Sequence, residues 1–99
     1  MKEQWAETPE PGYYVSDLGR VYSYRSNKYL KPYKTSKGYL QIQIARETWY
    51  LSHLVWYCFK HEKPKMMTFR DNDITNCSLE NLTRRDNFLG EIEVDEQTD

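Results

Sequence analysis

The stretch YYVSDLGRVYS, residues 13–23, reads as a strand, a tight turn and a second strand. Gly19 supplies the positive φ that the Asp17–Arg20 turn calls for, and apolar and polar residues alternate on its far side. Upstream, Trp5 precedes the loop Thr8-Pro9-Glu10-Pro11-Gly12, whose two prolines and glycine forbid a regular element. Downstream, Tyr29, Leu30 and Tyr33 predict another short strand, and Ser36-Lys37-Gly38 predicts a turn. The clearest strand is YLQIQIA, residues 39–45, where Leu40, Ile42 and Ile44 fall on one face and Gln41 and Gln43 on the other. ETWYLS, residues 47–52, pairs back on it through a bend near Arg46 and Glu47.

Helical spacing begins at Ser52, taken as the N-cap of HLVWYCFKHE with Leu54 or Val55, Cys58 and Phe59 facing inward, and Pro64 ends it. A second start signal stands at Ser78, followed by LENLTRRDNFL with Leu79, Leu82 and Phe88 on its inner side. These elements predict an α+β chain of small antiparallel strands and two short helices. Residues 1–89 form one compact domain in this reading, and the acidic segment 90–99 is a mobile tail.

Tyrosine is abundant, with nine residues beside three tryptophans, which suits strands with half-buried faces or a contact surface. Net charge is −1, but residues 11–89 carry thirteen Lys and Arg against seven acids, while residues 90–99 carry five acids and no base. From Leu18 to Arg46 there are seven basic residues and no acid, the composition signal for a polyanionic partner. No apolar run is long enough to span a bilayer and the N-terminus lacks the apolar stretch of a secretory signal, so a cytoplasmic protein is expected. Cys58 and Cys77 are then free thiols.

Residues 5–25, with the phrase YYVSDLGRVYS, resemble the nuclease-associated modular domain found beside HNH homing endonucleases of phages and bacteria, usually worded Tyr-x-Val-Ser-Asn-x-Gly-Arg-Val. Within residues 26–65, Lys37-Gly38-Tyr39-Leu40 and HLVWYCF resemble the strands and helix that lead into the nuclease motif. Residues 66–89 then resemble that motif itself, in which MMTFRDNDITNCSLENLTRRDN keeps Asp71, Thr75, Asn76, Glu80, Asn81 and Leu82 in register. The resemblance implies a ββα-metal fold, a strand pair, loop and helix clasping a divalent ion. Its metal-ligand and general-base positions hold Thr68 and Phe69. A phenyl ring accepts no proton from water, and a threonine hydroxyl is a poor ligand for a hard cation. By the same resemblance Asp71, Asn76 and Asn81 are structural, and Asn87 matches the last metal-binding asparagine only if about three residues are deleted.

The expectation is therefore a noncatalytic binder of double-stranded DNA, a phage regulator or DNA-site occluder in the host bacterial cytoplasm, with no resident metal or other cofactor. Arg20, Arg25, Lys28, Lys34 and Lys37 are its candidate DNA contacts, joined by Arg84 and Arg85 on the second helix. Phe69 seals the vacated site, or else inserts between bases or docks a protein. Two alternatives stand beside this reading: an inhibitor that seizes a host nucleic-acid enzyme, and a weak metal-dependent nickase using His53. A zinc site from His53, Cys58, His61 and Cys77 is the less expected use of those residues, since no Cys-x-x-Cys pair is present. The acidic tail either solubilises the chain, masks the basic face or engages a host protein.

Overall fold

The structure, a computed structural model, describes residues 2–64 and 66–84, with the side chain of Arg84 outside that description. Trp5–Glu7 (β1), Tyr13–Ser16 (β2), Val21–Ser23 (β3) and Lys28–Leu30 (β4) form an antiparallel meander in that order. The predicted hairpin is β2 and β3, with Gly19 at φ +87° and the Ser16 hydroxyl accepting from the backbone N–H groups of Leu18 and Arg20. The 8–12 loop returns the chain through a bond from the Thr8 N–H to the Tyr13 carbonyl, 2.9 Å. This lays β1 along β2 with Ala6 opposite Val15. Alternation sends Val15 and Val21 into the core and Tyr14, Tyr22 and Tyr29 to the opposite face.

Tyr33–Lys34 (β5), Leu40–Ile44 (β6) and Glu47–Tyr50 (β7) form a second antiparallel sheet. The single strand expected through Tyr29, Leu30 and Tyr33 is thus two strands in two sheets. The break falls at Pro32, which has no N–H to continue a ladder. In β6, Ile42 and Ile44 are buried as the alternation requires.

The helix, α1, spans Leu51–Lys60 and starts one residue before the expected cap. Tyr50, extended at φ −68° and ψ 132°, is the N-cap without a side-chain capping bond, and Ser52 is buried inside the first turn. Burial of Leu51 fixes the start, because β7 delivers it straight into the core. His61 ends the helix in the left-handed conformation, its N–H donating to the Tyr57 carbonyl, before Pro64 acts.

The second helix expected from Ser78 is not formed. Leu79–Asn81 make one 3₁₀ turn, and Leu82–Arg84 (β9) pair antiparallel with Met67–Phe69 (β8). Ser78 makes no side-chain cap. The strand wins because Leu82 stands opposite Phe69 in the register, so both apolar side chains are buried across the ladder. Arg85, Asn87, Phe88 and the tail lie outside the described residues.

One buried cluster joins the parts: Val15 and Val21 from the first sheet, Ile42 and Ile44 from the second, Leu51, Leu54, Val55 and Cys58 from α1, and Phe69, Cys77 and Leu82 from the C-terminal pair. Among the described residues no helix is long and apolar enough to cross a membrane.

Gly19 also marks a close approach, since a Cβ there would meet the Cys77 carbonyl oxygen at 3.3 Å. Gly19→Ala is expected to destabilise the protein by about 1–3 kcal/mol from left-handed backbone strain. Urea unfolding should show a lower midpoint at unchanged slope.

Candidate nucleic-acid interface

The polar loop between β8 and β9 closes on itself through three side chains. The Asn81 amide nitrogen donates to the Asp71 carboxylate at 3.0 Å and to the Asn76 carbonyl at 2.9 Å, and its oxygen accepts the Asp71 N–H at 3.1 Å. Asn76 Nδ2 donates to the other Asp71 oxygen at 2.8 Å, and the Asp73 N–H to the first at 2.8 Å. The hydrogen bond from Asn76, then those from the Asp73 N–H and Asn81, hold the Asp71 carboxyl below its usual pKa. Asp73 is held down chiefly by the Thr75 hydroxyl, with Lys34 close enough to add to the effect. The structure therefore brings Asp71, Asn76 and Asn81 together.

The positions that resemblance assigns to the metal ligand and the base offer no such chemistry. Phe69 is 8% exposed and part of the core. The Thr68 hydroxyl donates to the Thr83 carbonyl at 3.2 Å. Both Asp71 oxygens already accept within the loop. The described residues at this place do not fit a divalent ion.

Beside Phe69 lies a cleft of about 270 Å³ lined by Tyr39, Tyr50, Ser52, His53, Met66 and Met67. His53 is half-buried against Tyr50, and burial lowers its pKa. His61 is elsewhere, at the end of α1 near Cys58, and Cys77 lies against Gly19. No group of three metal-binding side chains stands together among the described residues. Burial pushes the Cys58 thiol up to about 11 and the Cys77 thiol to about 12, so both stay protonated at neutral pH.

The basic candidates fall into two groups. Arg20 and Arg25 belong with the first sheet, and each has an internal acidic partner. Arg20 Nε donates to Glu3 at 2.9 Å, with the guanidinium 4.6 Å from the Tyr29 ring centre and 5.7 Å from that of Trp5. Arg25 donates to the Pro11 carbonyl at 3.2 Å and to Glu10 at 3.4 Å. Lys28 is exposed at the start of β4. Lys34, exposed on β5, and Lys37, in the turn whose Gly38 lies against Ile74, border the 71–76 loop. Arg84 is on β9 rather than a helix, its side chain undescribed, and Arg85 lies outside the described residues. Reading runs of charge overlooked Glu3 and Glu10. The only signal for them was the excess of acids in residues 1–10.

Residues 3–45 match the family model of the NUMOD4 motif. The fold matches a solved structure, described as DNA binding and cleavage by the HNH homing endonuclease I-HmuI, with a TM-score of 0.73 at 24% identity. That likeness covers 97% of this chain and 62% of the other, so the chain spans less than two thirds of the endonuclease's length. No curated protein matches the chain by sequence. The α+β class holds: the segment that matches the NUMOD4 motif lies within a fold similar to that of the solved endonuclease.

Asn81→Ala removes both partners of Asp71 that come from the 3₁₀ turn. Losing these bonds in the exposed loop should lower the urea midpoint. Because the folded pKa of Asp71 is depressed, its contribution is complete above the unfolded value, roughly 4, and is lost as pH falls through the folded one. The variant should accordingly lose less stability than the parent between neutral pH and acid.

Proposed function

We propose that the protein binds double-stranded DNA without cutting it, as an occluder or regulator of a DNA site in the cytoplasm of a bacterial or phage-infected cell. One observation carries this reading: Phe69 is built into the core where the resemblance puts the general base, while the Asp71–Asn76–Asn81 network around that place is intact. A ring locked in the core moves no proton. Binding a duplex needs only phosphate neutralisation and a shape that follows the groove.

The two groups of basic side chains give the reading its surface. Lys34 and Lys37 are exposed beside the 71–76 loop, Lys34 within electrostatic reach of Asp73. Arg20 and Arg25 reach phosphate by exchanging Glu3 and Glu10, which is feasible because exposed ion pairs are weak and screened by salt.

Labelled duplex fragments titrated over a salt series with Mg²⁺ present test it. The affinity is expected to fall steeply with salt, with a preferred fragment and the DNA recovered intact. Lys34→Glu with Lys37→Glu should weaken binding and flatten the logarithmic salt slope by about 2, one unit per lost phosphate contact. Absence of binding at low salt overturns the reading. Metal-dependent breaks that vanish in His53→Ala replace it with the nickase, for which the half-buried His53 in the cleft beside Phe69 is the available base.

A further inference from the structure

The outer face of the first sheet presents Tyr14, Tyr22 and Tyr29 as successive cross-strand neighbours, extended by Trp5 and Tyr24. Tyr22 stands edge-on to Tyr24 at 4.8 Å and to Tyr29 at 5.0 Å, and Tyr24 packs on Tyr14 at 5.3 Å. The rings line an open depression of about 790 Å³, and Tyr24, Tyr29 and Trp5 are 62%, 53% and 38% exposed. Contiguous exposed aromatic surface of this kind marks a binding site in a soluble protein.

Charge selects the occupant. The Arg20 guanidinium lies over Tyr29 and Trp5 at the rim. Lys31 follows β4 in a segment from Leu18 to Arg46 that contains no acid, whereas Lys28, paired with Ser23, and Arg25, over Tyr13 beside Glu10, belong to the opposite side of the sheet. The acids of this face are Glu7, opposite Tyr14 on β1, and Glu3, whose exposed pair with Arg20 a polyanion would exchange. A ligand that matches flat ring faces bordered on one side by positive charge carries flat π systems along a polyanionic backbone. Bases inside a duplex have their faces covered, so the ligand must offer unpaired ones.

We propose that this aromatic face binds single-stranded nucleic acid, stacking unpaired bases on Tyr24, Tyr29 and Trp5 while the backbone runs along the rim past Arg20. The site goes beyond the duplex reading and stands on a different sheet from Lys34 and Lys37.

The test titrates the full-length protein with a labelled oligothymidine of roughly 12 nucleotides and with an abasic deoxyribose-phosphate oligomer of equal length. Stacking predicts at least about tenfold tighter binding of the oligomer with bases. Tyr24→Leu with Tyr29→Leu, which keeps apolar bulk but removes the π faces, should abolish most of that preference for the oligomer with bases over the abasic one. Tyr24→Leu alone, at the most exposed ring, gives the same direction should the double variant fail to fold. Equal affinity for the two oligomers, or a preference that survives the substitutions, overturns the proposal, the first meaning a purely electrostatic surface or a protein-docking face. A base preference lost in these variants while duplex affinity persists supports it. A base preference in a protein that ignores duplex also supports it, and overturns only the duplex reading.

Discussion

Asn81 sits at the end of the 3₁₀ turn with 7% exposure, and its carboxamide is the joint on which the C-terminal half hangs. The side chain holds Asp71 and the Asn76 carbonyl, while its own carbonyl accepts the Arg70 N–H at 2.8 Å. Those bonds bring the two ends of a twelve-residue polar excursion, 70–81, into contact and set the register in which Leu82 meets Phe69. Ile74, Cys77 and Leu79 are the only apolar side chains of so long a loop, so the polar network carries much of the closure. The Leu79 N–H extends it to the Asp17 carbonyl at 2.7 Å, tying the turn to the first hairpin.

The same joint explains how the place beside it holds a phenyl ring. A histidine at position 69 would bring a polar ring that needs partners for both nitrogens, and the surroundings of Phe69 are Tyr39, Leu82 and the core cluster. Burying phenylalanine there instead contributes roughly 1.5–3 kcal/mol relative to leaving it exposed. Core packing and proton transfer are competing uses of one position. The structural asparagine serves the fold under either use, so its presence says nothing about catalysis.

What was legible in the sequence follows from how local its cause is. The hairpin at 13–23 and the strand at 40–44 are written in a turn glycine and in strict alternation, which act within a few residues. The strand at 82–84 was not legible, because Ser78 with Leu79 and Leu82 satisfies helical spacing equally well. Only the partner strand thirteen residues away, Phe69 against Leu82, decides between them. Ser52 misled in the same manner: its capping preference yielded to the burial of Leu51. At the site, the Asp71, Asn76 and Asn81 cluster was legible through the motif they share. The pairing of Arg20 and Arg25 with Glu3 and Glu10 was not, being made by β1 folding back on β2.

That fold-back also changes what the basic segment means. Counted along the chain, Leu18–Arg46 is uniformly positive, yet in space two of its arginines lie against acids from the first ten residues. Arg20 lies over aromatic rings, 4.6 Å from the Tyr29 ring centre, while paired with Glu3 in an exposed and exchangeable ion pair. Lys34 and Lys37 are exposed ammonium groups beside the 71–76 loop, Lys34 near Asp73. On the proposed readings, a guanidinium over rings on one sheet and lysine ammonium groups on the other meet a polyanion in different ways, and only the first stands where unpaired bases would stack.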